Sequence, residues 1–553
     1  MKEEIKQFFR GEVDDSPETL TKYSHDASIF SVQPKLVVYP KDNADVQALV
    51  KWVHTNKEIL PNLSITARSA GTDMSGGAIN DSIIMDFTRY MNGIISINSY
   101  KAIVEPGVYY RDMERETLTH GAIMPSYTAS KELCAVGGMV ANNAGGEKSI
   151  KYGKTEEYVT ELEVVLSDGS IETIHPMTKN EVEAKSLEKT LYGKICRELF
   201  FMLKRNHTEI MRAKPNVSKN SAGYYLWNVW DENKELFDLC KLFVGSQGTL
   251  GIITKITFRL VPVETHSNVM AIFLPNIERL GDIVEDILPY EPDSLESYDD
   301  YSMKLAVRFF FDFFKQLGFV GAIKLGVEFL PELWMMIRGG IPKLILLVEV
   351  SGQTDREVGA KLDEIDLVIK NYGYKTRIAK SPLEAQKYWK IRRESFNLLR
   401  KHIKGKRTAP FIDDVIVLPK HLPEFLPKLQ HLIKKYNLTY TIAGHAGNGN
   451  FHIIPLMDLT NPLSVTTILD LSEEVYQLVR DYQGSITAEH NDGIIRTPYL
   501  PLMYGDSICK LFTEVKYLFD PLVILNPGKK VGGTKEDIRR ALSQNPLNKT
   551  HNS

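Results

Sequence analysis

Three glycine-rich segments in the first half of the chain constrain its fold most strongly. Each follows an apolar, strand-like run, and glycine permits positive φ angles and close approach of the backbone to a ligand. Successive backbone N–H groups in such segments can surround phosphate oxygens. Any one segment alone could be a turn, but three in one region favour a dinucleotide ligand. None has the Rossmann GxGxxG or the P-loop GxxxxGK[ST] pattern. The segments are 68–77 (RSAGTDMSGG), 134–146 (CAVGGMVANNAGG) and 245–251 (GSQGTLG).

The pattern around these segments indicates an α+β fold. The run 36–40 (LVVYP) is typical of a strand, and a helix follows it with Asp42 or Asn43 as its N-cap. A helix predicted over 110–120 ends near Gly121, a suitable left-handed terminator. Further strands are predicted at 64–68, 83–86, 102–107, 159–167 with a turn at Asp168-Gly169, 252–260, 344–350 and 439–443, and a final helix begins near 534.

Length and composition indicate a multidomain protein with no attraction to nucleic acid. A chain of 553 residues is too long for one core. We place a domain boundary near 263, giving a first domain at 1–263, with its core from about 34, and a second at 264–553. The formal net charge of -3 gives no reason to expect nucleic acid. The four cysteines form no CxxC pair, which favours a reducing compartment and argues against an iron–sulfur cluster.

The segment 302–345 mixes aromatic and basic residues, as in FFFDFF at 309–314. Such a segment could lie on a bilayer surface. The hypothesis that we prefer is a helical subdomain that packs on its own core or covers the active site. No uncharged apolar run long enough for a transmembrane helix occurs, and the N-terminus lacks the apolar stretch of a signal peptide.

The stretch 444–452 (GHAGNGNFH) and the later 487–490 (TAEH) carry the strongest chemical signal. His445, His452 and Glu489 could provide three metal ligands with one position open for substrate. His490 could then transfer a proton. Gly447 and Gly449 argue against a helix, so a loop between two short strands would bring both histidine rings to one point. An ordinary structural role is the usual explanation for one histidine, but this cluster favours a site.

Together these residues resemble the p-cresol methylhydroxylase/vanillyl-alcohol oxidase type of FAD-binding domain. More closely, they resemble the FAD-linked D-2-hydroxy-acid dehydrogenases, which include D-lactate dehydrogenase, the glycolate oxidase D subunit and D-2-hydroxyglutarate dehydrogenase. The motifs occur in order from about Tyr23 to Val531, and include ARSAGTDMSGGAI, VGSQGTLGIITKITFRLVP, AGHAGNGNFHIIPL and ILNPGKKV. The resemblance implies a two-subdomain FAD-binding domain and an α+β cap or substrate domain with an antiparallel sheet, from which 522–531 returns to the flavin.

The resemblance also implies roles for individual residues. His445, His452 and Glu489 match the metal ligands, and His490 matches the catalytic base. Arg392 matches an arginine that binds the substrate carboxylate, a task suited to its bidentate guanidinium. Lys529 would lie near the flavin. The residues expected to bind FAD are Ser69, Ala70, Gly71, Thr72, Asp73, Ser75, Gly76, Pro125, Gly137, Gly138, Asn142, Asn143, Gly145, Gly146, Tyr152, Gly153, Gly248, Gly251, Ile252 and Asn526.

The implied reaction is oxidation of a small D-2-hydroxy acid to the 2-oxo acid, with FAD and a divalent metal as cofactors. Zinc is the first expectation for the metal, and manganese and iron are alternatives. Thr72 and Asp73 stand where relatives with covalent flavin carry a histidine, so we expect non-covalent FAD. Some relatives carry a C-terminal iron–sulfur domain whose cysteines this chain lacks, so we expect a separate electron acceptor: a quinone, a cytochrome, an electron-transfer flavoprotein or an iron–sulfur protein.

Other interpretations remain open at this point. A flavin oxidase acting on another alcohol or a sugar lactone is the alternative enzyme, although such substrates have no carboxylate for Arg392 to bind. A subunit that binds nucleotide and metal without catalysis is the non-enzymatic alternative, against which His490 beside Glu489 argues. We expect a cytoplasmic protein, with a weak peripheral contact at the inner face of the membrane and a homodimer as further options.

Overall fold

A computed structural model describes residues 1–300, 341–381, 384–389, 392 and 406–545 of the chain. These residues form two compact units. Unit 1 comprises Met1–Gly146, Tyr152–Val263 and Ser485–Ser553, and unit 2 comprises Glu147–Lys151 and Glu264–Gly484. Unit 1 therefore includes the last part of the chain, which contains the stretch 522–531 that was expected to return to the flavin.

Mixed helices and strands confirm the predicted α+β class. The strands are β1 (Glu12–Asp14), β2 (Leu36–Tyr39), β3 (Ile65–Arg68), β4 (Ile83–Asp86), β5 (Ile94–Ile97), β6 (Lys101–Val104), β7 (Ala122–Ile123), β8 (Val159–Val165), β9 (Ile171–Ile174), β10 (Met177–Thr178), β11 (Trp230–Asp231), β12 (Leu236–Phe237), β13 (Ile252–Arg259), β14 (Val261–Pro262), β15 (His266–Leu274), β16 (Ser294–Asp299), β17 (Leu344–Gly352), β18 (Lys375–Ile378), β19 (Arg407–Thr408), β20 (Val415–Ile416), β21 (Thr439–His445) and β22 (Asn450–Met457).

The described helices are α1 (Lys2–Ile5), α2 (Pro17–Tyr23), α3 (Asn43–Asn56), α4 (Tyr110–Thr119), α5 (Val136–Asn142), α6 (Ser149–Tyr152), α7 (Lys179–Lys185), α8 (Leu191–Arg205), α9 (His207–Ala213), α10 (Cys240–Phe243), α11 (Leu280–Ile287), α12 (Asp355–Asn371), α13 (Leu422–Lys435), α14 (Leu463–Asp481), α15 (Gly493–Arg496), α16 (Leu500–Phe519) and α17 (Lys535–Ser543).

Unit 1 contains two main sheets. The first has the strand order β1-β2-β4-β3, and β4 pairs in parallel with both β2 and β3. Every residue of β2 and β4 is buried, as expected for the inner strands of a covered parallel sheet. The second sheet has the order β5-β6-β13-β8-β9 and is antiparallel.

Local sequence signals in unit 1 produce the helix ends that were predicted from them. The Asp42 carboxylate accepts hydrogen bonds from the backbone N–H groups of Ala44 and Asp45, and so caps α3. Helix α4 ends at Thr119, and Gly121 takes the left-handed conformation with φ of 66°. The predicted cap and terminator are therefore confirmed.

Unit 2 is built on one large sheet with the strand order β18-β15-β17-β16-β21-β22-β19, and β20 also pairs with β22. Every pairing in it is antiparallel. Helix α12 packs on β15, β17 and β18 through Val358, Leu362, Ile365 and Ile369, which occupy one face at helical spacing. The antiparallel sheet predicted for the second domain is confirmed.

The aromatic and basic segment 302–345 lies mostly outside the described residues, and its structure is described only from residue 341 onward. Strand β17 begins at Leu344. Within the described ranges, no helix has the length and apolar character that crossing a membrane requires.

Candidate functional site

A cavity in unit 1 lies where the three glycine-rich segments meet. The first segment contributes the turn after β3, the second contributes the start of α5, and the third contributes the turn before β13. Ten of the residues predicted to bind FAD line it: Ser69, Ala70, Gly71, Thr72, Asp73, Gly137, Gly138, Asn142, Gly248 and Gly251.

Two glycines in this cavity are not explained by protein packing. A Cβ atom added at Gly138 would approach only the Cβ of Ser69, at 3.8 Å, and one at Gly248 would approach only the Cβ of Ala67, also at 3.8 Å. Space is therefore kept clear beside the backbone at both positions, and the left-handed φ of 67° at Gly248 is a further reason for glycine there. A ligand that approaches main-chain N–H groups closely needs this clearance, so the residues present fit a dinucleotide.

The Asp73 carboxylate holds the first glycine-rich segment in shape. It accepts hydrogen bonds from the backbone N–H of Ser75 at 3.1 Å and of Gly77 at 2.6 Å, and from the side-chain amide of Asn142 at 2.7 Å. These two backbone N–H groups are thus engaged by a carboxylate. The sequence argument treated the whole segment as a nest for phosphate, but the N–H groups of Ser75 and Gly77 are taken up within the segment itself.

The remaining predicted FAD ligands lie outside this cavity, and the FAD-binding roles of both groups stay predictions. Asn526 shows what such a residue contributes. It is buried, and its side-chain amide donates to the carbonyl oxygens of Gly77 at 2.9 Å and Gln247 at 2.7 Å, so it joins the first and third segments. The other residues outside the cavity lining are Ser75, Gly76, Pro125, Asn143, Gly145, Gly146, Tyr152, Gly153 and Ile252.

Two polar residues inside the glycine-rich segments also line the cavity, although the sequence argument did not single them out as FAD ligands. Arg68 and Gln247 flank the glycines, and the Gln247 side chain donates to Asn142 and accepts from the backbone N–H of Gly493. Their position within the first and third glycine-rich segments was the available signal.

Two titratable side chains, those of Asp26 and Lys529, interact with Asp73. Burial, reinforced by the neighbouring Asp73 carboxylate, raises the pKa of Asp26 to about 7. Burial lowers the pKa of Lys529 to about 8, although the attraction of Asp26 opposes this shift.

In unit 2, a β-hairpin brings the two predicted histidines together. His445 ends β21 and pairs with Asn450 of β22, and His452 lies two residues beyond Asn450 on the same face. Their Nε2 atoms are 3.3 Å apart. A short 3₁₀ turn at Ala446–Asn448 connects the strands, and Gly449 follows it with φ of 74°. This is the loop between two strands that the glycines predicted.

A carboxylate contacts the far nitrogen of each ring. His445 Nδ1 faces the carboxylate of Glu296, and His452 Nδ1 lies 3.1 Å from Oδ1 of Asp413. When each Nδ1–H donates to its carboxylate, both Nε2 atoms carry lone pairs. Two nitrogens bound tetrahedrally to one ion at about 2.1 Å would lie about 3.4 Å apart. The observed separation and the carboxylate partners fit a pair of metal-binding histidines.

Arg392 joins the same cluster through Glu296. Its Nη2 lies 3.1 Å from Oε2 of Glu296, a residue only 1% exposed, whose other oxygen faces His445. The strand register explains this arrangement: Ser297 of β16 pairs with Gly444 of β21, so Glu296 stands opposite His445. The sequence missed Glu296 and Asp413. An acid within the strand-like run SLESYD was the signal for Glu296.

The other two predicted residues belong to unit 1. Glu489 is buried and its carboxylate forms an ion pair with the ammonium of Lys219, while His490 is partly buried. Neither lies in a helix or strand, and Asn491 follows them with φ of 68°. Adjacent residues point opposite ways in a strand, so the irregular backbone here removes that restriction. Lys219 was not identified from the sequence.

Comparison with known families now identifies the class of this protein. The model for the FAD binding domain matches residues 34–175, and that for the C-terminal domain of FAD linked oxidases matches residues 263–530. The chain therefore contains an FAD binding domain followed by a C-terminal domain of FAD linked oxidases. The predicted family and the predicted FAD-binding domain are thus confirmed.

Curated relatives are more specific. The chain is 25% identical over 542 residues to D-2-hydroxyglutarate dehydrogenase of Pantoea ananatis, covering 95% of this chain and 50% of that protein. It is 26% identical to glycolate oxidase subunit GlcD of Bacillus subtilis, covering 93% of each. It is also 26% identical to D-lactate dehydrogenase of Archaeoglobus fulgidus, covering 90% and 91%. The chain thus spans about half the length of the D-2-hydroxyglutarate dehydrogenase that it matches.

Solved structures confirm the predicted fold type. The 4-ethylphenol oxidase of Gulosibacter chungangensis superposes with a TM-score of 0.65 at 16% identity, covering 95% of each chain. A p-cresol methylhydroxylase gives a TM-score of 0.65 at 17% identity, covering 94% of each. At this level of identity, the likeness concerns the fold.

The clearance at Gly138 predicts how FAD binding can be removed without unfolding the protein. Gly138→Val places a branched side chain in the cavity, and we expect folded protein that purifies with little or no flavin. Gly359→Val is the matched control, because Gly359 also lies in a helix and has no neighbour within 4 Å of a built Cβ. Absorbance of the released flavin and a thermal melt check both variants. A yellow Gly138→Val protein with a full complement of FAD would contradict the assignment of this cavity.

Proposed function

We propose that the protein oxidises a small D-2-hydroxy acid to the 2-oxo acid, using non-covalently bound FAD and a divalent metal, and passes the electrons to a separate acceptor. Curated relatives named for D-2-hydroxyglutarate, D-lactate and glycolate support this substrate class. The observation that carries the proposal is the cluster in unit 2, where Glu296 joins Arg392 to the histidine pair. A guanidinium beside two metal-binding imidazoles suits a substrate with adjacent carboxylate and hydroxyl groups.

FAD, when bound, supplies the two-electron chemistry by accepting a hydride at N5. The cavity residues of unit 1 hold the cofactor. Gly138 and Gly248 allow its close approach, while Asp73 and Asn526 fix the surrounding turns. The protein thus contributes position and electrostatics rather than redox chemistry.

A divalent metal would supply Lewis-acid chemistry that favours loss of the proton from the substrate hydroxyl group. His445 and His452 would hold it, and zinc is the first candidate because imidazole suits that ion, with manganese and iron as alternatives. Glu296 and Asp413 orient the two rings. Glu489 is proposed as the carboxylate ligand on the basis of its sequence motif.

Two further side chains have proposed roles in the reaction. Arg392 binds the substrate carboxylate, and its contact with Glu296 fixes the direction in which its remaining N–H groups point. His490 takes the proton of the 2-hydroxyl group as the hydride leaves carbon 2. The proton and the hydride together account for the two hydrogens lost from the hydroxy acid.

Steady-state assays test the substrate class. With an artificial dye as acceptor, we expect turnover of at least one of D-lactate, glycolate and D-2-hydroxyglutarate, and much slower turnover when oxygen is the acceptor. L-Lactate is the matched control, since it differs from D-lactate only in configuration. Activity confined to sugar lactones or to alcohols without a carboxylate would favour the alternative oxidase and contradict the proposal.

Substitutions separate the metal ligands from the base. His490→Ala should keep FAD and metal but lose roughly 10²–10⁴-fold in turnover, the usual contribution of a general base. His445→Ala, His452→Ala and Glu489→Ala should lose the metal, and chelator-treated wild type should resemble them and recover with added zinc or manganese. Metal content by mass spectrometry decides the assignment.

Two outcomes of that experiment would overturn the roles. If His490→Ala loses the metal while Glu489→Ala keeps it, their assignments are exchanged. If all four variants keep the metal content of wild type, the histidine motif is structural.

A further inference from the structure

A short segment of unit 1, residues 219–223, lies against the segment 487–492 that carries Glu489 and His490. We call residues 219–223 the strap. The backbone N–H of Ser221 donates to the carbonyl oxygen of Thr487 at 2.9 Å, and that of Gly223 donates to Oδ2 of Asp492 at 2.8 Å. The Ser221 hydroxyl also donates to the carbonyl oxygen of Ala488, at 3.0 Å. The strap therefore forms hydrogen bonds with residues on both sides of Glu489 in the sequence.

Two buried lysines fix the strap itself. Lys154 donates to the strap carbonyl oxygen of Asn220 and to that of Ala488, and Lys530 donates to the carbonyl oxygens of Ser221 and Gly223. Lys530 is also ion-paired with Asp492 at 2.9 Å. Hydrogen bonds to main-chain oxygens therefore account for the burial of these two ammonium groups.

Lys219 differs from both. Its side chain is only 1% exposed, and its ammonium contacts Oε1 of Glu489, which is 7% exposed. Among the residues that the structure describes, this carboxylate is the hydrogen-bond partner of Lys219. A buried ion pair of this kind is weak evidence for stability, because its desolvation cost offsets its attraction. Its contact with one oxygen, however, fixes the direction of the other.

We propose that Lys219 positions the Glu489 carboxylate for cation binding, holding Oε1 so that Oε2 is presented to the metal. This inference rests on the proposed role of Glu489 as a metal ligand. Groups that hydrogen-bond a ligating carboxylate commonly change metal affinity by 10–100-fold when they are removed. Lys219 acts through Glu489 and does not itself touch the substrate.

The test measures binding of zinc and of manganese to chelator-treated, FAD-loaded protein, per folded molecule. Lys219→Met keeps an unbranched side chain only one atom shorter but removes its charge and donors, and should weaken metal binding by roughly 10–100-fold with FAD content unchanged. Lys219→Arg should recover most of the affinity. Lys530→Met is the matched control in the same region, and should lower the melting temperature while folded molecules keep wild-type metal affinity.

A double variant distinguishes a specific effect of Lys219 on Glu489 from a general effect of misfolding on metal binding. If Lys219 acts only through Glu489, Lys219→Met/Glu489→Ala should bind metal as weakly as Glu489→Ala alone. Wild-type or tighter metal binding by Lys219→Met would overturn the inference, as would an additive loss in the double variant. These results require a wild type that binds metal. A wild type that binds none would contradict the metal-assisted function and, with it, this inference.

Discussion

The arrangement of His445 and Arg392 in unit 2 depends on their contacts with the carboxylate of Glu296. It lies between an imidazole and a guanidinium, and it is almost fully buried. Burying a carboxylate without partners is unfavourable. The contacts of Glu296 with His445 and Arg392 therefore help to fix the positions of both side chains. One buried acid thus fixes two side chains that come from distant parts of the chain.

The cavity in unit 1 depends on a different feature, namely glycines that have no side chain to fill it. Gly138 and Gly248 leave space that no neighbouring protein atom fills. The turns around this space are held by polar side chains, with Asp73 binding backbone N–H groups and Asn526 binding carbonyl oxygens. Fixed turns around a cleared space suit a large cofactor that must be bound in one orientation.

Structural features that depend on residues close together in the sequence were predicted correctly. The Asp42 cap, the Gly121 terminator and the histidine hairpin depend on neighbouring residues, and each was found as expected. Glu296 was missed because its partner His445 lies 149 positions away and meets it only through the register of β16 and β21. Lys219 was missed for the same reason, since 270 positions separate it from Glu489.

The sequence patterns also did not predict that Ser485–Ser553 belongs to unit 1. The resemblance indicated only that 522–531 comes back to the flavin. Helix α16 and its neighbours have the same apolar periodicity that helices of unit 2 have, so periodicity alone cannot assign them to a unit. Only contacts such as those of Asn526 with the glycine-rich segments make the assignment.

The most direct test of the central claim is the visible spectrum of the bound flavin under anaerobic conditions. Adding a D-2-hydroxy acid to the purified, FAD-loaded protein isolates the transfer of electrons from substrate to flavin, whatever the natural acceptor is. The account predicts bleaching by at least one D-2-hydroxy acid and none at comparable concentration by its L enantiomer. A flavin that stays oxidised with every D-2-hydroxy acid, but is bleached by a sugar lactone or a simple alcohol, would contradict it.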